Sequence, residues 1–197
     1  MSLRHFVWAA GLVLLACARP PAPAPPPKAL RAVAVFPPNN RTGDELLVAG
    51  GSLLERYAFH TERVTVGDVV AAEARGELSD RGIDVVAPEV VDAAVADYAA
   101  RTPETAARQA ARAHIDATVL YIEIRRWEHN APFNTVSIIV SLSATLIDPA
   151  DGRVVWTGEF PSRPIATTGA VNPGAADVIA ATKATTELLA PLTAIHP

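Results

Sequence analysis

The sequence has little of what most catalytic and metal sites require. Its 197 residues include one cysteine and five histidines. The histidines are scattered, and neither an H-E-x-x-H pattern nor a Cys/His cluster is present, so the usual zinc ligands are missing. A G-x-S-x-G nucleophile motif and a glycine-rich phosphate loop are also absent. We therefore expect a non-catalytic protein without a metal or another cofactor.

Positive charge and long apolar runs are also scarce. There are 17 Lys and Arg against 21 Asp and Glu, a net charge of −4, so we expect no nucleic-acid partner. The apolar run at residues 6–16 is too short for a membrane-spanning helix, which needs about 20 residues. One cysteine cannot form an intrachain disulfide, so stability must come from a core built from the 50% of residues that are hydrophobic.

The N-terminus does contain a recognisable pattern. A short start with Arg4, followed by the apolar run, is typical of a secretory signal peptide and predicts one at residues 1–16. The sequence LLAC at 14–17 resembles the bacterial lipobox, which implies cleavage before Cys17 and anchoring by acyl chains on that residue. The alternative is an ordinary signal peptide followed by a chance cysteine.

The residue after the cysteine indicates in which membrane the protein is anchored. By the same resemblance, Ala18, in place of the aspartate of inner-membrane lipoproteins, favours the periplasmic face of the outer membrane. In a Gram-positive cell the protein would instead lie on the outer face of the only membrane.

Residues 17–29 are predicted to be a lipidated tether. Six of the twelve residues from 18 to 29 are proline, which removes backbone donors and excludes helix and sheet. Such a segment is a semi-rigid polyproline II spacer or a loose linker. The remainder, residues 30–197, is predicted to be a single globular α/β domain.

The first half of this domain alternates between strands and helices. Strands are predicted at 30–36 and 83–87, and residues 46–60 are predicted to form a short strand, a turn and an extended piece. A helix at 66–81 is predicted, with Thr65 as its cap and Asp68 completing a capping box. Two more helices begin at Pro88 and near Pro103. The expected core face of the first of these consists of Val90, Val91, Ala94, Val95 and Tyr98.

The second half is richer in strands. Strict alternation predicts strands at 117–127 and 135–147, and the turn at 148–152 leads into a return strand whose core residues are Val154, Trp156 and Phe160. Asn172 caps a final helix. The expected core face of that helix consists of Val178, Ile179, Thr182, Thr185, Leu189 and Leu192. The predicted fold class is α/β: one mixed β-sheet flanked by helices, with a C-terminal meander and a final helix, neither doubly wound nor a sandwich.

Two polar segments are candidate partner-binding surfaces. The loop NNRTGDE, residues 39–45, carries Arg41. The segment RRWEHNAPFN, residues 125–134, carries Arg126 and exposes Trp127 or Phe133. Arginine and aromatic residues are typical interface anchors. The alternative is that Trp127 is the last core residue of its strand and that the arginines are simply solvated.

Three motifs resemble a known family group. AVAVFPPNNRTGD at 32–44, ATVLYIEIRRWE at 117–128 and VSLSATLIDPADGRVVWTGEF at 140–160 are similar to the opening, the strand and the hairpin of the CsgG, LpoB and TolB amino-terminal-domain group. They are most like the neisserial putative-lipoprotein family within that group. The resemblance implies a mixed sheet flanked by helices and a non-catalytic role in the envelope.

These observations favour a lipid-anchored periplasmic module that assists an envelope assembly, secretion or transport complex. Its expected partners are the membrane, through Cys17, and an envelope protein, with a second copy of the chain as a further candidate. Two alternatives remain: a lipid- or small-molecule-binding auxiliary of an envelope transporter, and an envelope hydrolase whose site is assembled from scattered residues.

Overall fold

A computed structural model describes residues 29–48, 63–129 and 137–194. The strands are β1 (Ala29–Leu30), β2 (Ala32–Val35), β3 (Asn39–Asn40), β4 (Asp84–Val85), β5 (Thr118–His129), β6 (Ser137–Ile147), β7 (Val154–Ala166) and β8 (Thr193–Ala194). The helices are α1 (Val66–Asp80), α2 (Pro88–Ala94), α3 (Pro103–Arg112) and α4 (Pro173–Leu189). None of the helices within the described ranges is long and apolar enough to cross a bilayer.

The main sheet is mixed, as predicted. Its strand order is β4-β2-β5-β6-β7, with β3 also pairing with β5. The pairs among β4, β2, β3 and β5 are parallel, whereas β5, β6 and β7 form an antiparallel meander. β1 and β8 form a separate parallel pair. The predicted fold class is therefore confirmed.

Local sequence signals account for the start of α1. Thr65 accepts a hydrogen bond from the backbone N–H of Asp68, and the Asp68 carboxylate accepts one from the backbone N–H of Thr65. This reciprocal pair satisfies backbone donors that the first turn leaves without helical partners. Gly82 follows the helix with φ at 73°, a conformation that favours glycine. The predicted capping box is confirmed.

The two faces of the sheet carry separate hydrophobic clusters. One contains residues of α1 and α4 together with Leu120, Ile122 and Trp156 of the meander. The other contains residues of α2 and α3 with Phe36, Val119 and Tyr121. Alternation along each strand places successive side chains on opposite faces, so both clusters use the same strands.

The predicted core of the meander is largely confirmed. Trp156 and Phe160 are buried, but Val154 is 49% exposed. Leu146 pairs with Trp156 whereas Ile147 pairs with Val154, so β7 has an extra residue at Val155. Such a bulge reverses the alternation, and Val154 therefore lies on the opposite face from Trp156.

The predicted core face of α4 is wrong in part. Thr185, Leu189 and Leu192 are buried as expected, but Thr182 is exposed, and Val178 and Ile179 are only half-buried. The helix instead buries a face rich in small residues: Ala176, Ala180, Ala181, Ala184 and Leu188. Small side chains let the helix lie close against α1 and the sheet. Which face of α4 is buried therefore depends on the elements that pack against it.

The predicted core face of α2 is also wrong in part. Val91 is buried, whereas Val90 is 46% and Tyr98 is 51% exposed. The helix ends at Ala94, so the helical spacing used for the prediction does not continue to Tyr98. Between β3 and α1, Leu47 forms an isolated antiparallel bridge with Thr65. Most of the ambiguous segment 46–60 lies outside the described residues.

Candidate functional site

One face of the meander carries a group of charged side chains. Helices α2 and α3 pack against the apolar part of this face, near Tyr121 and Ile147. Beyond it, Glu123, Ser143 and Glu159 form one row across three strands, because Glu123 pairs with Ser143 and Ser143 with Glu159. The Ser143 hydroxyl donates to the Glu123 carboxylate at 3.4 Å.

Two arginines flank this row. Arg41 Nη1 lies 3.9 Å from Glu123 Oε1, and Arg125 Nε lies 3.7 Å from Glu123 Oε2. Arg125 also donates to Glu159 at 2.9 Å. The side chains of Arg41, Arg125 and Glu159 are 59%, 48% and 67% exposed. Ion pairs this exposed contribute about 0–1 kcal/mol at most, so the row adds little to stability.

The loop that carries Arg41 is organised by its own sequence. The Asn40 side chain accepts from the backbone N–H of Thr42 at 3.0 Å and donates to the carbonyl of Asp44 at 2.7 Å. Gly43 has φ at 89°, a left-handed conformation that glycine adopts without strain. The backbone N–H of Arg41 donates to the carbonyl of Ile124, which holds the loop against β5.

A β-bulge brings a third arginine to the same face. The pairing of β5 with β6 shifts between Ile124 and Arg126. This shift lets Arg125 and Arg126, although consecutive, both reach the polar side. Arg126 donates to Glu128 at 2.7 Å and to the Ser162 hydroxyl at 3.3 Å. The hydrogen bond from Arg126 lowers the pKa of Glu128.

We call this surface the polar meander face. It consists of Glu123, Arg125, Arg126, Glu128, Ser143 and Glu159, with Arg41 at its margin. Two of the predicted partner-binding residues, Arg41 and Arg126, are brought together here. Phe133 and Cys17 lie outside the described residues. The role of the arginines in binding a partner remains a prediction.

Trp127 does not belong to this face. The same bulge turns it to the α4 side, where it is only 5% exposed. Its indole Nε1 donates to Asp177 Oδ1 at 2.9 Å. The expectation of an exposed aromatic at this position is corrected, and Trp127 is a core residue, as the alternative interpretation held.

Asp177 is the most deeply buried acidic group near these segments. It is 3% exposed, and its Oδ1 also lies 3.2 Å from His129 Nε2. Burial raises the pKa of Asp177, while the hydrogen bonds from Trp127 and His129 and the charge of His129 oppose that rise. Sequence reasoning missed this cluster, although one charged residue in the small, apolar stretch AADVIAA was a signal that could have located it.

The Trp127–His129–Asp177 cluster is suited to holding β5 against α4. Because His129 Nε2 contacts Asp177, catalysis by a nucleophile would require a hydroxyl or thiol at the other ring nitrogen of His129. In the described ranges, no group of three or more His, Cys, Asp or Glu side chains is arranged to hold a metal ion.

A groove lies between β7 and α4. It has a volume of about 470 Å³ and is lined in part by Phe160, Ile165 and Ala190. The Arg163 guanidinium lies 4.5 Å from the centroid of the Phe160 ring and pairs with Glu187 across the groove. Its apolar lining is relevant to the alternative of a lipid-binding auxiliary.

No family model and no curated protein matches this chain. Similar solved structures include a PelC variant from Paraburkholderia phytofirmans, described as a dodecamer, with 22% identity, a TM-score of 0.51, and coverage of 88% of this chain and 96% of that chain. Lipoprotein GNA1162 from Neisseria meningitidis has 22% identity, a TM-score of 0.43, and coverage of 73% and 86%. The C-terminal domain of LpoB from Salmonella enterica has 17% identity, a TM-score of 0.44, and coverage of 70% and 84%. The likeness to PelC shows that this chain shares its fold.

Proposed function

We propose that this chain is a lipid-anchored, non-catalytic envelope protein that binds another protein of an envelope assembly, secretion or transport complex through the polar meander face. The observation that carries the proposal is the concentration of three arginines and three glutamates on one exposed part of a sheet. We assign the chain to the envelope lipoprotein group on the sequence motifs given above.

The energetics of the polar meander face support a binding role. Its ion pairs are exposed and contribute little to folding, so selection for stability alone does not explain the row. Charges of both signs held in fixed positions suit recognition, because complementary charges on a partner set the orientation and the rate of encounter. Arginine also binds carboxylates in a bidentate manner, which adds geometric selectivity.

The N-terminal pattern supports attachment to a membrane. A single acyl chain binds a membrane only marginally. Three acyl chains on Cys17 would bind it much more strongly, since each buried CH₂ contributes about 0.8 kcal/mol. The proline-rich residues 18–28, which precede β1, would then span up to about 34 Å at roughly 3.1 Å per residue in polyproline II. We place the protein at the periplasmic face of the outer membrane, on the basis of Ala18.

Self-association is part of the proposal. The similar PelC structure is described as a dodecamer. A module that is confined to a membrane and assembles into several copies would present several polar meander faces to its partner at once. Multivalent presentation raises avidity without new contacts.

The proposal is tested by cross-linking in cells. A photo-reactive amino acid at Ser162, which is exposed and adjoins Arg126, should capture an envelope protein. The double variant Arg125→Glu/Arg126→Glu should abolish the capture. Arg153→Glu is the matched control, because Arg153 is 68% exposed but lies beside the hairpin turn.

Capture that persists unchanged in the double variant would contradict the proposed role of this face. Capture lost equally in Arg153→Glu would show that the effect is a general change of charge. Circular dichroism of each purified variant verifies that it is folded.

A second candidate function is the binding of a lipid or small apolar molecule, as an auxiliary of an envelope transporter. The groove between β7 and α4 favours it, because its lining combines apolar side chains with two cations, Arg163 and Lys183, beside the single carboxylate of Glu187. Quenching of a fluorescent anionic phospholipid on binding to the wild type, and its loss in Ile165→Asp, would support this candidate. Equal binding by Val154→Asp and Ile165→Asp would contradict it.

A further inference from the structure

Helix α2 and the residues after it leave apolar side chains in contact with water. Val90 is 46% and Tyr98 is 51% exposed, and Ala94 and Val95 are only partly buried. Of the five residues expected to form the core face, only Val91 is fully buried. We call Val90, Ala94, Val95 and Tyr98 the α2 stripe. Clustered exposed apolar residues commonly mark an interaction site.

The exposed charges on α2 and in the residues up to Tyr98 are acidic. Glu89, Asp92 and Asp97 are exposed, and none forms an ion pair within 4.0 Å with a residue in the described ranges. From α1, the half-buried Arg75 lies close enough to interact electrostatically with Asp92 and Glu89. The negative charge of these three acidic residues is therefore only partly balanced by positive charge from the same chain.

The neighbouring helix presents mainly the opposite charge. Arg101, Arg108 and Arg112 are exposed along α3 and just before it, with Glu104 as the exposed acidic residue. Arg112 Nη1 reaches the Tyr98 hydroxyl at 3.4 Å, and Arg108 donates to Thr105. An acidic helix and a basic helix thus lie side by side on the same face of the sheet.

We propose that a second copy of this chain covers the α2 stripe, with the acidic α2 of one copy against the basic α3 of the other. In a two-fold arrangement the same contact forms twice, because each copy offers both helices. Val90 and Tyr98 would be buried at the centre, and the charges would form the rim. This inference rests on the self-association included in the proposed function and names the surface that carries it.

The contact is expected to be weak in solution. α3 has 10 residues and is about 15 Å long, so two short helices cover less area than the roughly 800 Å² per partner of a standard interface. Anchoring on a membrane raises the effective concentration of the copies, which compensates for a small interface. Detection therefore requires the protein in its membrane.

The first experiment uses cross-linking in native membranes. Ala93 is exposed on α2, and Cys17, the only native cysteine, is predicted to be acylated. A bifunctional thiol reagent should therefore join Ala93→Cys copies into dimers, with the parent chain measuring any background from Cys17. Adding Val90→Glu should reduce the dimer yield about tenfold, as expected for a charge placed in an apolar contact. Val171→Glu, at a valine that is 82% exposed, is the matched control and should leave the yield unchanged.

Charge reversal tests the pairing of the two helices. Asp92→Arg/Asp97→Arg and Arg101→Glu/Arg108→Glu should each reduce the dimer yield, because like charges would then face each other. The quadruple variant should restore it, since the charges are again complementary. Restoration is not expected from variants that merely misfold.

Three outcomes would overturn the inference. The first is an absence of dimers above the parent background, and the second is a failure of the quadruple variant to restore them. The third is a lower unfolding temperature of Val90→Glu with an unchanged dimer yield, which would mean that the chain covers the stripe internally. The two proposals can fail independently. Arg125→Glu/Arg126→Glu tests capture of a partner at the polar meander face, whereas the yield of Ala93→Cys dimers tests self-association.

Discussion

The indole of Trp127 donates a hydrogen bond to the buried carboxylate of Asp177 at 2.9 Å, which joins β5 to α4 across 50 residues of sequence. The same carboxylate oxygen lies 3.2 Å from His129 Nε2. A buried acidic group is tolerated when hydrogen-bond donors surround it. This contact explains why an acidic residue occupies the buried face of α4, which otherwise consists mainly of alanine and leucine.

The first prediction concerns this contact. Asp177→Ala should destabilise the protein by about 1–3 kcal/mol, because it leaves the buried Trp127 N–H without an acceptor. Asp177→Asn should cost less, since its amide oxygen can still accept the bond. Urea unfolding at pH 7 measures both. Equal losses in the two variants would show that the hydrogen bond is not the source of the effect.

The second prediction concerns pH. Burial raises the pKa of Asp177 above the ordinary aspartate value of 3.8. Between 3.8 and the raised folded-state pKa, the folded protein keeps a proton that the unfolded chain has lost, so the contribution of this group to stability falls as the pH rises. Asp177→Asn should therefore remove a decline in stability across that window.

The measurement is the free energy of unfolding as a function of pH for the wild type and Asp177→Asn. Repeating both in a His129→Gln background removes the neighbouring imidazole from the comparison. A difference between the two proteins that is constant with pH, or that has the opposite slope, would contradict the raised pKa.

The third prediction concerns Trp156 and Gly158. A Cβ added at Gly158 would come within 2.3 Å of Trp156 Cη2, so the indole lies against the glycine backbone. Gly158→Ala should cost about 1–3 kcal/mol through overpacking, and Trp156→Ala about 3–5 kcal/mol through the loss of a large core side chain.

The double variant provides the control. Once Trp156 is alanine, the clash is absent, and adding Gly158→Ala should have little effect. Thermal or urea unfolding of the four proteins gives the coupling between the two sites. Simple additivity would contradict the close packing of the indole on Gly158.

The fourth prediction concerns the anchor. If the lipobox is functional, Cys17→Ala should block acylation and leave an unprocessed precursor that retains residues 1–16. Metabolic labelling with palmitate and the mass of the protein on a gel measure this. Label on the variant, or normal processing, would favour an ordinary signal peptide instead.

Much of the fold could be predicted from the sequence because its signals are local. The Thr65–Asp68 capping box needs residues only three positions apart. The alternation along β6 and the turn at 148–152 likewise depend on neighbours in the chain. The order of the longer elements followed from these signals, whereas the two-residue strands β1, β3 and β8 were not predicted.

The candidate site could be predicted only in part. Arg41 and Arg126 were identified by their position in polar segments. That they lie on one face with Glu123, Arg125 and Glu159 depends on β3 pairing with β5, and on the bulge after Ile124. Trp127 changes sides for the same reason, because one extra residue reverses the alternation and no local pattern marks where it occurs.

By itself, therefore, the sequence determined where the longer strands, the helices and their caps form, because those depend on backbone geometry and on neighbours a few residues apart. Only the tertiary structure decided which faces are buried. α4 turns its alanines inward because its neighbours are close, and Tyr98 is exposed because α2 stops at Ala94. Burial depends on contacts between distant segments, and Asp177 finds Trp127 only after the strand and the helix have packed.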